Sequence, residues 1–266
     1  MKKMVVTAPV AAVYENEEGT ALLSDELLCG MTAQPLQQYS GGILRIRSFY
    51  GYEGYAKASA FKELTEEWEA APKLVVIGSY VNVQSQPAVR SLVVLSLPRG
   101  ALVCGDGPSL EGWQPVHMAG GEQGFIQSVH LGTYPMGEAF AVGELRRSLC
   151  QNALSYLGCC YRWGGKTPLG IDCSGLCSQV YLNHGIAIYR DARIMEGYPV
   201  REIPQEQLEP ADLLYWKGHI ALYLGEGRYI HSTASSGGVT VNSLIKGQVD
   251  YREDLAKSLL CCGTAL

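Results

Sequence analysis

Charge is scarce in this chain of 266 residues: 18% are Asp, Glu, Lys or Arg, against 47% that are apolar. That balance excludes intrinsic disorder and leaves enough apolar surface for a proper core. No run of Lys or Arg occurs and the formal net charge is -5, which argues against a nucleic-acid partner and implies neither a membrane nor a polyanion. Long apolar runs are missing too, since nothing approaches the about eighteen uninterrupted apolar residues of a spanning helix. The opening M-K-K-M-V-V-T-A-P-V-A-A-V-Y-E-N-E-E starts with two lysines as a signal peptide does. Its apolar run is short and broken before the acids arrive, so it reads as a strand and not as a leader. A disulfide framework is also absent: the nine cysteines are odd in number, scattered, and include the adjacent pairs Cys159-Cys160 and Cys261-Cys262. Together these features suggest a reducing compartment and a cytoplasmic protein.

What is present suits two or three domains at this length. From Met4 to about Phe61 short alternating runs are punctuated by Gly, Pro and Asp, and a second set follows from Lys73, the pattern of small all-β barrels. The two sets share a phase. Each reaches a G-x-x-G-aromatic ending, Gly51 to Tyr55 in the first and Gly121 to Phe125 in the second, so the halves read as an internal repeat. Between them F-K-E-L-T-E-E-W-E-A-A-P-K reads as a short acidic linker of one helical turn or two. From Gly143 the period becomes helical, with Leu145, Leu149, Leu154 and Leu157 expected on one face and a stop at Gly158. A Pro-interrupted excursion (R-D-A-R-I-M-E-G-Y-P-V-R-E-I-P) and a strand meander follow the next helix. That order makes the C-terminal part an α+β domain. The tail Y-R-E-D-L-A-K-S-L-L-C-C suggests no role.

Chemistry concentrates in Y-R-W-G-G-K-T-P-L-G-I-D-C-S-G, Tyr161 to Gly175. Cys173, Leu176, Cys177, Val180, Tyr181 and His184 recur at helical spacing after it and Gly185 ends the run, so a helix starts at Cys173. Free N–H groups and the positive dipole end are expected to favour the thiolate there. A thiolate needs a base, and the base an orienting group. Two histidines supply them in H-I-A-L-Y-L-G-E-G-R-Y-I-H. A hairpin centred on Glu226 sets His231 across from Ala221, on the face of His219. An even turn would put the two on opposite faces, so a three-residue turn or a bulge is expected. A lone cysteine opening an apolar helix is ordinarily a packed small residue. Here the polar neighbours Asp172 and Ser174 and the histidine pair favour a nucleophile. The other eight cysteines, and His117, His130 and His184, read as structural. Zinc held by Cys173 and both histidines, which would want a fourth ligand and an open position for water, is the lesser reading, because nucleophilic catalysis already explains the helix-opening thiolate; no cofactor and no metal is expected.

These segments, with E-P-A-D-L-L and Y-I-H-S in the same order over about the last 120 residues, resemble the NlpC family of bacterial cell-wall cysteine peptidases. The resemblance implies a papain-like α+β peptidase domain over residues 138–266, preceded by two bacterial SH3-like barrels at 1–68 and 69–137. It implies hydrolysis of the γ-D-glutamyl-diamino acid bond in peptidoglycan stem peptides, with Cys173 as nucleophile, His219 as base, His231 orienting it and the Tyr161 hydroxyl at the oxyanion. Asp172 and Ser174 are implied in binding the γ-D-glutamate; an acid beside a carboxylate is awkward, and Asp172 suits acceptance from amide N–H groups better. In the branch with paired barrels the groove is closed and takes a free N-terminal L-Ala, as in murein recycling. Tyr52 then walls the pocket and Asp191 pairs with the ammonium group, alone, because Met31 stands where a glutamate would give a second counter-charge. Cys160 and Ala211 depart from the family's proline and glycine. Two other classes stay open: a wall-fragment binding protein with a degenerate peptidase domain, and an amidase or acyltransferase using the same three residues.

Overall fold

The structure, a computed structural model, describes residues 1–18, 22–135 and 141–266. Backbone proximity divides the chain into two compact units, Met1–Met136 and Gly137–Leu266. The domain boundary expected between residues 137 and 138 lies outside the described residues.

The N-terminal unit holds two seven-stranded antiparallel sheets. The first comprises β1 (Met4–Val6), β2 (Val10–Tyr14), β3 (Leu23–Leu28), β4 (Thr32–Tyr39), β5 (Ile43–Ser48), β6 (Glu53–Lys57) and β7 (Phe61–Glu63), in the order β3-β2-β6-β5-β4-β1-β7. The second repeats that order seven strands later. Its members are β8 (Lys73–Val76), β9 (Tyr80–Gln84), β10 (Val93–Pro98), β11 (Leu102–Gly105), β12 (Trp113–His117), β13 (Gln123–Gln127) and β14 (Leu131–Thr133), arranged β10-β9-β13-β12-β11-β8-β14. The shared G-x-x-G has one physical cause in both. Gly51 and Gly121 have positive φ, 85° and 94°, in the turns before β6 and β13. A Cβ on Gly54 would meet Val13 Cγ1 at 2.4 Å, and one on Gly124 would meet the Gln84 carbonyl at 2.6 Å, so each second glycine lets its strand approach the neighbouring β2 or β9.

The acidic linker folds as α1 (Glu66–Ala70), capped by the Thr65 hydroxyl, which accepts from the Trp68 N–H at 3.2 Å. It is also an anchor: Trp68 is buried against Val5 of β1 and Cys104 of β11.

In the C-terminal unit α2 (Val142–Leu154), a short hairpin of β15 (Lys166–Thr167) and β16 (Gly170–Ile171), and α3 (Cys173–Leu182) precede the main sheet. That sheet contains β17 (Arg201–Ile203), β18 (Leu213–Trp216), β19 (His219–Gly225), β20 (Arg228–Thr233), β21 (Gly238–Ser243) and β22 (Cys261–Thr264), ordered β17-β22-β18-β19-β20-β21, with α4 (Glu253–Ser258) before its last strand. All ten residues of α3 are buried, so it is the core element onto which α2 and the sheet pack. Each fully buried side chain such as Leu176 or Val180 contributes about 2 kcal/mol by removal from water.

Two expectations need correction. The buried face of α2 is Leu145, Leu149 and Ala153, while Leu154 and Leu157 are exposed; the helix ends at Leu154, so the expected run to Gly158 counts one turn too many. The tail thought to lack a role supplies α4 and β22, the strand between β17 and β18. No helix among the described residues is long and apolar enough to cross a membrane.

Candidate active site

The position of Cys173 follows from what caps α3. Asp172 is the N-cap residue, and its Oδ1 accepts from the Gly175 N–H at 2.6 Å. Its Oδ2 accepts from the Gly164 N–H at 2.8 Å, which ties Y-R-W-G-G to the helix start. Arg190 donates to both carboxylate oxygens at 3.1 Å and to Ser174 Oγ at 2.7 Å. Asp172 thus accepts from amide N–H groups, as its chemistry required, and the buried guanidinium balances its charge. Gly165 and Gly175 touch, since a Cβ on Gly175 would lie 2.1 Å from the Gly165 carbonyl. The Ser232 hydroxyl donates to the Ile171 carbonyl at 2.6 Å, holding the segment before Cys173 to β20.

The histidines come from the β19–β20 hairpin. Leu222 pairs with Ile230 and Tyr223 with Tyr229, after which the register shifts so that Gly225 pairs with Arg228. Leu224 is the extra residue, and Glu226 and Gly227 turn with φ of 52° and 78°. The turn is two residues long, and the bulge restores the phase that places His219 and His231 on one face. Their rings meet, His219 Nε2 to His231 Nδ1 at 2.7 Å. Beyond them His231 Nε2 lies 2.8 Å from Asn242 Oδ1, and Asn242 Nδ2 donates to the Asp250 carbonyl at 2.9 Å. Asn242 is missing from the expected set. Nothing in G-V-T-V-N-S signals it, because Asn242 falls on the polar phase of the alternation; its place comes from β21, which pairs Asn242 with Tyr229.

The Cys173 thiol faces the backbone of Ile220, next to His219, at the start of β19, and that backbone acts to lower its pKa. Cys173 is 8% exposed. Burial first, then the Asp172 charge, pushes its thiol up to about 11. Burial likewise pulls His219 and His231 down to about 4, with the charge of Arg252 acting the same way. Desolvation and the capping carboxylate act against the helix dipole that was expected to favour a thiolate. Burial thus disfavours the charged form of the thiol and of both imidazoles taken singly.

Tyr161 runs beside Ile171 in a parallel bridge. Its hydroxyl is pushed up to about 12, by burial and then by Cys173 and Asp172, so it remains an O–H donor. The Cys173 N–H, at the first position of α3, has no acceptor within the helix. The other expected binding residues sit in different elements. Asp191 is half-buried in the segment between α3 and β17. Tyr52 is half-buried in the turn before β6 of the N-terminal unit, its N–H donating to Ser48 Oγ at 3.0 Å. Met31 is buried, with its sulfur accepting from the Leu28 N–H. His184 is structural, bonding Ser148 Oγ and the Val180 carbonyl at 2.8 Å each. Among the described residues no three His, Cys, Asp or Glu side chains are grouped to hold a metal ion.

Comparison with known proteins places this geometry. The NlpC/P60 family profile matches residues 158–256. Dipeptidyl-peptidase 6 of Lysinibacillus sphaericus is 38% identical over 98% of both chains. Gamma-D-glutamyl-L-lysine dipeptidyl-peptidase of Bacillus cereus is 35% identical over 32% of this chain and 28% of its own length. A crystal structure of an NlpC/P60 family protein from Bacillus cereus superposes with a TM-score of 0.79 at 17% identity, covering 98% of each chain, and shares the fold. With a cysteine opening the buried helix and a histidine pair on the facing hairpin, the chain belongs to the NlpC/P60 family of cysteine peptidases.

Proposed function

We propose that the protein hydrolyses the γ-D-glutamyl-diamino acid bond of peptidoglycan stem peptides, acting on released fragments with a free N-terminal L-Ala. The observation that carries this reading is the joined pair His219 and His231 on the hairpin that packs against α3, the helix opened by Cys173, in a chain similar over nearly its whole length to a dipeptidyl-peptidase. The His219 imidazole takes the Cys173 proton, and the sulfur attacks the γ-carbonyl carbon. The oxyanion receives hydrogen bonds from the Cys173 N–H and the Tyr161 hydroxyl. The imidazolium returns its proton to the departing amine, leaving a thioester. Water, deprotonated by His219, then releases the acid and restores the thiol. Ser174 contacts the γ-D-glutamate together with the Asp172 pair, Asp191 binds the ammonium group, and Tyr52 belongs to the recognition surface of the first barrel. The two repeated sheets are SH3-type barrels spanning 1–68 and 69–137. Nine free thiols fit work in a reducing compartment such as the cytoplasm.

The test compares L-Ala-γ-D-Glu-diamino acid with its N-acetylated form in the full chain. The free amine is expected to be cleaved at least about a hundredfold faster, the effect of leaving a carboxylate unpaired, and Asp191→Ala to erase most of the difference. Cys173→Ala removes turnover. Equal rates on both substrates would mean a groove open at that end, and cleavage of neither would end the proposed substrate class.

A further inference from the structure

The histidine pair has a direction, and the residue that sets it lies outside the pair. The Asp250 carbonyl can only accept, so the Asn242 atom 2.9 Å from it is the amide nitrogen and the amide oxygen faces His231. That oxygen likewise only accepts, which puts the proton of His231 on Nε2. His231 Nδ1 is then an acceptor and takes its hydrogen bond from His219 Nε2 at 2.7 Å. The nitrogen left to His219 is Nδ1, with its lone pair free.

We propose that Asn242, held by the Asp250 carbonyl, is a positioning residue that fixes the tautomers of both histidines, so that His219 Nδ1 is the atom receiving the Cys173 proton. The inference rests on the use of His219 as base, but not on the identity of the substrate. The far end is built for the task. Asp250 adopts φ of +64°, a left-handed backbone that side chains other than Gly and Asn or Asp rarely take. In that conformation its carbonyl accepts from both Asn242 Nδ2 and the Ser243 N–H, the latter at 3.0 Å. The loop between Ser243 and Tyr251 is closed at its base by the Ser243 hydroxyl, which donates to Gln248 Oε1 at 2.6 Å and accepts from the Ile245 N–H at 2.9 Å.

A neutral amide is required at this place. A carboxylate would stabilise a second proton on His231, whose Nδ1 would then donate to His219 Nε2 and force the His219 proton onto Nδ1, where the base must be empty. The remaining ionisable groups recorded against the pair are Tyr229 from β20, its ring 5.1 Å from that of His231, and Arg252 with Asp254, which are paired to each other at 2.6 Å. None of them accepts from His231 Nε2.

Two readouts test this without a substrate. In nitrogen-15 spectra of histidine-labelled wild-type protein, both His219 and His231 are expected as the Nε2–H tautomer; His219 protonated on Nδ1 would overturn the proposal without any variant being made. In iodoacetamide alkylation of Cys173 as a function of pH, Asn242→Asp is expected to move the acid limb up by about one pH unit or more, the scale of a carboxylate placed on an imidazole. With a cleavable substrate, Asn242→Leu should lower kcat about ten- to hundredfold, part of the usual contribution of a positioned base, with KM within about twofold. An acid limb unmoved in Asn242→Asp, or a kcat in Asn242→Leu equal to wild type, would also overturn it. Failure of the substrate proposal would leave the tautomer and alkylation results standing.

Discussion

Ala211 holds a left-handed backbone, φ +77°, while fully buried between Pro210 and Asp212. Its neighbours allow no escape: its N–H donates to the Tyr223 carbonyl at 2.8 Å, and its carbonyl accepts from the Tyr181 hydroxyl at 2.6 Å. Arg146 of α2 locks the same turn through the Pro210 carbonyl at 2.7 Å and Asp212 Oδ1 at 2.8 Å. Ala211→Gly is expected to raise stability by about 1 kcal/mol, the strain relieved less the added freedom of the unfolded chain. Urea unfolding of the two proteins checks it, and a lower midpoint for the glycine variant would show that the strain is absent. The thiols offer a second residue-scale prediction. Cys173 is buried and its thiol pushed up to about 11, so under the proposed mechanism its reactivity is expected to depend on His219, whereas Cys160 is exposed. Peptide mass spectrometry after brief iodoacetamide treatment should find Cys173 labelled ahead of Cys160 in the wild type and behind it in His219→Ala. An unchanged order would mean that the histidine does not activate the sulfur.

Among the elements, α3 depends on a backbone contact that no side chain can replace. Gly175 meets the Gly165 carbonyl so closely that one added methyl group falls 2.1 Å from it. Gly175→Ala must push the helix from the Y-R-W-G-G loop, with a destabilisation of about 3 kcal/mol or more and loss of the Asp172 cap. Thermal unfolding followed by circular dichroism measures it, and a midpoint within a degree or two of wild type would contradict the contact. The elements also differ in how far the sequence disclosed them. Helix α3 was legible because its apolar period, its acidic cap and its glycine stop agree with one another. The hairpin was legible because the phase of two histidines constrains a turn; the constraint was met by a bulge at Leu224, which no local residue signals. Asn242 was not legible as part of the site, since its role arises from pairing with a strand whose neighbour the sequence does not name. β22 was hidden because C-C-G-T has no alternation and only one β-branched residue, Thr264, and its place comes from the strands on either side. The α2 face was misjudged because Ala153, small and unremarkable in a hydrophobic pattern, is buried where two leucines were expected.

At the scale of the molecule the two site histidines make the C-terminal unit sensitive to acid. Both are held down to about 4 in the folded protein, whereas an unfolded histidine titrates near about 6.5. Between those values the unfolded chain binds more protons, so stability falls as pH drops through the window and is fully present above it. The unfolding midpoint, read from fluorescence of Trp216, whose ring lies 5.6 Å from that of His219, should decline from pH 6.5 toward 4.5. The decline should be smaller in His231→Gln; an equal slope in both proteins would assign the acid effect to other groups. A different consequence follows from β22. The strand lies inside the sheet, between β17 and β18, yet residues 261–264 are the latest of its six strands to be made. While the ribosome still holds them, β18 and the histidine hairpin beyond it have an open edge and β17 has no neighbour. The two repeated sheets, complete by Thr133, are free to fold during that interval. The site of Cys173, His219 and His231 is expected to mature after them, and a chain interrupted before residue 261 carries Cys173 without a finished sheet behind the histidine hairpin.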